Sequence, residues 1–307
     1  MSLQNITFEY CIRKGKAVLF RCYGDSPCIV IPPQIDGVPV AEILPYCFSE
    51  KTPTLPKGTE ILRWGEDISH PICGNFIQEV AFSEGLEKIG AFAFYNCRNL
   101  KKITLPNSVQ QIEGDAFMNC HLLHLVEIKG SIYQPSPLRQ IGWLIQHQFI
   151  VQFQEGSFVF PEYYEDLEEN TPAHVFNRKV VGIGYRYRCC FQGEVLDLSE
   201  YDKTLEQASA EEAEKPLCHL ALVRLTNDLL PANAEKYKVY LQKHLQTALS
   251  LSVEQANHLW IQWILKNLKP EQGYILKARE FAQKKGDAVS ASLLTIKSTP
   301  KTTQFDF

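Results

Sequence analysis

Two segments of the 307-residue chain spell nearly the same pattern 23 residues apart. VAFSEGLEKIGAFAFYNCRNL runs from Val80 to Leu100, and ITLPNSVQQIEGDAFMNCHLL from Ile103 to Leu123. Val80, Phe82, Leu86, Ile89, Phe94 and Cys97 recur as Ile103, Leu105, Val109, Ile112, Phe117 and Cys120, and the first pair returns as Val126 and Ile128. A fixed period in the twenties constrains the fold more than any other feature. One such unit is a short supersecondary element that cannot bury its apolar face alone, so neighbouring units must stack.

Within each unit, alternation turns Val80 and Phe82, Ile103 and Leu105, and Val126 and Ile128 inward from a short strand. Glu79, Ala81, Lys102, Thr104 and Glu127 then form an outward ladder, the kind of surface a solenoid sheet offers to a partner. Pro106 cannot donate to a ladder and ends its strand. Val109 and Ile112 supply a second apolar pair, and Phe94 and Phe117 fill the closing AF-x-x-C segment. Cys97 and Cys120 share one phase and point into the stack, where cysteine acts as a small buried hydrophobe. The ten cysteines therefore read as free thiols of a reducing compartment.

The run LKKITLPNSVQQIEGDAFMNC resembles the bacterial BspA-like leucine-rich repeat, L-x-x-I-x-I-P-x-S-V-x-x-I-G-x-x-A-F-x-x-C. An opening unit spans Cys28 to Phe48, where Ile43 and Phe48 lie 46 residues before Ile89 and Phe94 and a D-G-x-P-V excursion intervenes. A weaker unit runs from LVEIKG to LRQIGWLI, with Ile141 placed 29 residues after Ile112 by an insertion around Ser131 to Pro137. Ser49 to Phe76 fits no unit. The resemblance implies a right-handed solenoid used for protein or glycan recognition, often on secreted or surface proteins. Clear repeats cover about 28–145, less than half of the chain.

From Gln148 to Leu198 the segments FIVQF, SFVFPEYY, KVVGIGYRYRCCF and EVLDL read as strands of a degenerate capping region. Composition then shifts to Ala, Glu, Lys, Gln and Leu. Pro216 opens one helix, with Leu217, Leu220 and Ala221 on its apolar face. A second, from near Asn233, carries Tyr237, Leu241, Leu245 and Ala248. Ser252 with Gln255 reads as a capping box for a third, bearing Ala256, Trp260, Trp263 and Ile264. A fourth with Tyr274, Ala278, Phe281 and Ala282 ends at Gly286, and Asp287 caps a fifth with Val289, Leu293 and Ile296. The expected fold class is α+β multidomain, a leucine-rich-repeat β-solenoid over 1–200 followed by an all-α helical-hairpin domain over 201–298 and a polar tail over 299–307.

A net charge of −4 from 31 basic and 35 acidic residues offers no field for nucleic acid. The first residues lack the apolar core and cleavage site of a signal peptide, and no run reaches the roughly 18 apolar residues of a membrane span, so the expectation is a cytoplasmic protein unless a leader was removed. Cys120, His121 and His124, and His70 with Cys73, lack the two-plus-two spacing of structural zinc. Gly182-Ile183-Gly184 has no third glycine or Lys-Ser/Thr, and neither G-x-S-x-G nor H-E-x-x-H occurs. No catalytic residue, cofactor or metal is assigned. Tyr185, Arg186, Tyr187 and Arg188, read as a strand, show rings on one face and guanidinium groups on the other, and Tyr163 and Tyr164 precede the acidic run Glu165, Asp166, Glu168 and Glu169 that would face those arginines. The functional expectation is a non-enzymatic scaffold or adaptor with a protein partner. Its rivals are an adhesin-like surface protein binding host protein or glycan, and an enzyme with a site at the domain junction.

Overall fold

A computed structural model describes residues 6–55, 57–65, 70–170, 175–211 and 214–295, with backbone alone at 167–170 and 175–178. The chain forms two compact units, Met1–Gln207 and Ala208–Phe307. Residues 299–307, read as a polar tail, lie outside the described residues.

The first unit opens with a hairpin of β1 (Ile6–Arg13) and β2 (Lys16–Gly24), whose Lys14 and Gly15 both take positive φ (49° and 75°), as a two-residue turn between twisted strands requires. The coils follow with β3 (Cys28–Ile31), β4 (Gln34–Ile35), β5 (Val38–Ile43), β6 (Leu62–Trp64), β7 (Glu79–Phe82), β8 (Lys88–Ile89), β9 (Lys102–Pro106), β10 (Gln111–Ile112) and β11 (Leu125–Lys129). The D-G excursion is a second tight hairpin, β4 to β5, turning at Asp36 and Gly37 with φ 51° and 74°.

Each coil contributes to two sheets. In the first, β3, β7, β9 and β11 are parallel and in register, so Ile29, Val80, Ile103 and Val126 form one inward row and Ile31, Phe82, Leu105 and Ile128 the next. In the second, β5, β8 and β10 align Ile43, Ile89 and Ile112. Between the sheets, Phe48 stacks on Phe94 at 4.8 Å and Phe94 on Phe117 at 5.3 Å, all buried. Cys97 Sγ donates to Phe48 O and Cys120 Sγ to Phe94 O, both at 3.1 Å, so each thiol is bonded to the preceding coil. Asn96 and Asn119 share left-handed φ values of 62° and 65°, a conformation asparagine tolerates well, and their side-chain amides bond at 2.7 Å.

The two sides of the stack end differently. At the N-terminal side, the hairpin joins the second sheet through β2 against β5, and β6, from the stretch that fits no repeat, covers β1. At the other end comes the first departure from the sequence reading. LRQIGWLI, read as the displaced apolar segment of a weaker unit, is α1 (Leu138–Leu144), which keeps Leu138 and Ile141 buried. From it Gln140 imitates the missing strand: its Oε1 accepts from Ile112 N at 2.8 Å and its Nε2 donates to Gln110 O at 3.0 Å. The first sheet continues through β12 (Phe149–Gln152), parallel to β11, and β13 (Ser157–Phe160), antiparallel to β12. There the Tyr201 hydroxyl accepts from Val159 N at 3.1 Å and donates to Val159 O at 2.7 Å. A hairpin of β14 (Tyr164–Asn170) and β15 (Val175–Val181), a helix α2 (Gly184–Arg188), a two-stranded turn of β16 (Phe191–Gln192) and β17 (Val195–Leu196), and α3 (Leu198–Ala208), which carries Tyr201, complete the cap.

The second unit consists, among its described residues, of α4 (Glu214–Leu225), α5 (Ala234–Lys243), α6 (Leu245–Glu254), α7 (His258–Asn267), α8 (Gln272–Lys285) and α9 (Ala288–Leu293). Every residue of α4 from Leu217 to Leu225 is buried, which identifies it as the central helix rather than a one-faced one. α6 packs on both α4 and α8. The expected second helix is two helices, broken at His244, so Leu245 and Ala248 belong to α6. The capping box is also displaced. Ser252 is buried within α6 and bonds Ala248 O, while Asn257 caps α7 by accepting from Trp260 N, and Ala256 stands outside the helix at φ 48°. Gly286 at φ 73° ends α8, and Asp287 caps α9 by accepting from Ser290 N. The pairs Ala256-Asn257 and Gly286-Asp287 thus repeat one joint 30 residues apart, with buried Ala248, Ser252 and Ile264 matched by Ala278, Ala282 and Leu294.

Two substitutions separate stacking from edge closure. Phe94→Ala removes a ring from the middle of the aromatic column and is expected to cost about 3–5 kcal/mol. Tyr201→Phe removes the hydroxyl partner of Val159 N–H and C=O and is expected to cost about 1–3 kcal/mol. Urea unfolding of both variants checks the order; equal costs would contradict it.

Candidate functional site

The outward rows of the first sheet follow from register. One aligns Cys28, Glu79, Lys102, Leu125 and Ile150, the other Val30, Ala81, Thr104, Glu127 and Gln152. Of the candidate residues, Glu79 is exposed and Ala81 half-buried, but Thr104 is only 4% exposed although it points outward. Lys102 Nζ meets Glu127 Oε2 at 2.7 Å and Thr104 Oγ1 donates to the same oxygen at 3.2 Å. Lys102, with help from Thr104, holds the Glu127 carboxyl below its ordinary range against the opposing effect of burial. This part of the ladder is occupied by its own contacts.

The aromatic candidates gather elsewhere, on the C-terminal cap. Tyr185 to Arg188 are helical, not extended, so the expected division into a ring face and a guanidinium face is corrected. Tyr185 and Arg186 are exposed, whereas Tyr187 and Arg188 are buried. The local cause is the pair of glycines before them. Gly182 takes φ 98°, and a Cβ on Gly184 would collide with Pro161 O, so the chain turns tightly against Pro161 and Glu162.

Arg188 is 1% exposed. Its Nε donates to Gly142 O at 2.6 Å, Nη1 to Pro161 O and Gly184 O at 2.5 and 2.9 Å, and Nη2 to Ile145 O at 2.7 Å, with longer contacts to Gln146 O and His147 O. The guanidinium also lies 4.5 Å from the Tyr163 ring centroid. These donors go to carbonyls at the C-terminal end of α1, after β13 and at the start of α2, not to the acidic run expected to face them. A cation there is favoured by the helix dipole as well as by the bonds. Burial lowers its pKa to about 10, so it remains charged at neutral pH. The side chains of Glu168 and Glu169 lie outside the described residues.

On the outer side of this joint, Trp143, Tyr163 and Tyr185 make a cluster with centroids 5.5–6.2 Å apart. Beside it is a cleft of about 470 Å³ between the Asp115–His121 turn and the segments around Trp143 and Glu162. Trp143 is 37% and Tyr164 51% exposed at its edge, while Tyr163 is buried in its wall. His147, also in the wall, places Nε2 2.7 Å from Leu123 O, and burial lowers its pKa. The structure therefore brings Tyr163, Tyr164 and Tyr185 to one place, separate from the sheet ladder. Trp143 was missed because its segment read as the end of a weaker repeat unit; a helical reading of LRQIGWLI would have placed Ile141 inside and Trp143 outside. Cys189 is exposed and Cys190 buried, and Cys190 bonds Arg186 O and Thr204. Among the described residues no group of three or more His, Cys, Asp or Glu is placed to hold a metal ion, and no helix is long and apolar enough to cross a membrane.

Residues 72–136 match the family model described as BspA type leucine rich repeat region, in six copies. Repeats of this kind build extended surfaces for interaction and recognition. Among solved structures, the chain is similar to a leucine rich repeat protein of T. pallidum, with 24% identity over 39% of this chain and 50% of that one and a TM-score of 0.30. It is also similar to a leucine rich cell surface protein of Faecalibacterium prausnitzii A2-165, with 23% identity over 42% of this chain and 32% of that one and a TM-score of 0.28. The chain spans half or less of the length of either. No curated protein matches the sequence.

The Lys102–Glu127 contact has a definite pH signature. Because the folded-state pKa of Glu127 is depressed, its contribution is present above the ordinary carboxylate value and is lost as pH falls through the folded one. Lys102→Met should lower the unfolding free energy from urea titration at pH 7 by an amount on the order of 0.5 kcal/mol, and the gap from wild type should narrow as pH falls through the folded-state value of Glu127. A gap that persists unchanged would remove the ion pair as its cause.

Proposed function

We propose that this protein, whose first unit carries a BspA-type leucine-rich repeat region, is a non-enzymatic scaffold or adaptor that binds a protein partner at the capped end of its solenoid. The observation that carries the reading is the exposure of Trp143 and Tyr164 along a formed cleft, with exposed Tyr185 packed against Trp143 beside it. Large, rigid rings with few torsions lose little entropy on binding, which is why tryptophan and tyrosine dominate interface energetics. The core does not need them exposed, since Arg188, Gln140 and Tyr201 already close the stack. The outward sheet rows are weaker support, because Lys102, Thr104 and Glu127 satisfy one another. Ten free thiols suit a reducing compartment, the location this reading assumes.

The full-length protein, immobilised and exposed to soluble extract of its own cells, is expected to retain a protein partner saturably. The combined variant Trp143→Ala, Tyr164→Ala, Tyr185→Ala, with an unchanged circular dichroism spectrum, should weaken retention at least about tenfold, as loss of hot-spot rings does. Undiminished retention by the variant would move the site off the cap. Absence of any saturable protein partner would reject the adaptor reading.

A further inference from the structure

The column of rings on the outer edge of the coils ends in a charge. Tyr46 and Phe92 occupy one repeat phase, both in the left-handed region (φ 63° and 57°), and their rings stack at 5.3 Å. The next coil keeps the backbone conformation, φ 57°, but places Asp115 there. Instead of continuing the stack, the chain places a carboxylate residue in the lining of the cleft that Trp143 and Tyr164 also line. Glu162 supplies a second carboxylate to the same cleft, and no lysine or arginine is among its lining residues. His147, held by Leu123 O with its pKa lowered by burial, and His121 are the imidazoles of the lining. Arg188 lies behind Tyr163 with its donors engaged by carbonyls, and occupies that ring's inner side. Trp143 and Tyr164 are the rings left open to a ligand.

We infer that this cleft takes the guanidinium of an arginine side chain on the partner. The inference rests on the protein-binding reading and specifies its chemistry. A planar cation stacks on an indole or phenol face while its N–H fork bonds carboxylates, and each interaction strengthens where water is partly excluded. Two carboxylates and two open rings in a cleft of about 470 Å³ are complementary to that group and not to an anionic or purely apolar one.

The test uses the full-length protein and two small probes, acetyl-arginine methylamide and acetyl-citrulline methylamide, which share a shape and differ in charge. The indole N–H resonance of Trp143, assigned by its loss in Trp143→Phe, is expected to shift saturably with the arginine probe and at least tenfold more weakly with citrulline. Asp115→Asn combined with Glu162→Gln should abolish that preference while leaving the thermal midpoint in place. Equal response to both probes, a preference that survives the double variant, response only to a neutral disaccharide such as maltose, or no response at all would each overturn the assignment. If these fail while the aromatic variant still loses its protein partner, the cap remains the binding site and only the arginine is wrong.

Discussion

A strand at the end of a stack presents unpaired N–H and C=O groups, and in this solenoid every coil solves that problem by resting on the next. Ile89 lies on Ile43, Ile112 on Ile89, and the thiols of Cys97 and Cys120 bond the coil before them. The arrangement is stable only if the last edge is also satisfied, since an exposed flat edge invites pairing with other chains. Here two side chains do this work. The Gln140 amide receives Ile112 N–H and donates to Gln110 O, and the Tyr201 hydroxyl bonds both polar groups of Val159. Each imitates the strand that the sequence stops supplying.

Closing the edge requires α1 to be held across the end of the coils, and Arg188 holds it. A buried cation costs several kcal/mol in desolvation unless its donors are met. Arg188 meets this demand by drawing the C-terminal carbonyls of α1, the end of β13 and the start of α2 around one guanidinium. The same joint sets Trp143 and Tyr185 edge-to-face with Tyr163 and forms one wall of the cleft. Closure and candidate site are two sides of one cap.

The repeat was legible because its apolar rows recur at fixed spacing, and the outward phase of Glu79, Ala81, Lys102, Thr104 and Glu127 followed from period two. That Thr104 would be covered was not, because burial of an outward residue depends on its neighbours across the sheet. The cap resisted reading for a different reason. LRQIGWLI and YRYR are short enough to fit either period, and what made them helical was distant: the contact of Gly184 with Pro161 and of Arg188 with Gly142 and Ile145. In the second unit, small buried residues concealed the 30-residue helical repeat, since Ala248, Ser252, Ala278 and Ala282 carry little hydropathic signal. The hairpin joints were clearer where chemistry marked them, at Gly286 and Asp287, than at Ala256, where a residue that seldom adopts positive φ does so.

The most direct test of this account is native-state hydrogen exchange on Arg188→Met. If the arginine organises the cap, amides of α1, β12 and β13 should lose protection while those of Ile103 and Leu105, deep in the coils, keep it, and the Trp143 resonance should move with the cap. Unchanged protection at Ile145 and Val159, or a uniform loss that spares neither cap nor coils, would contradict it.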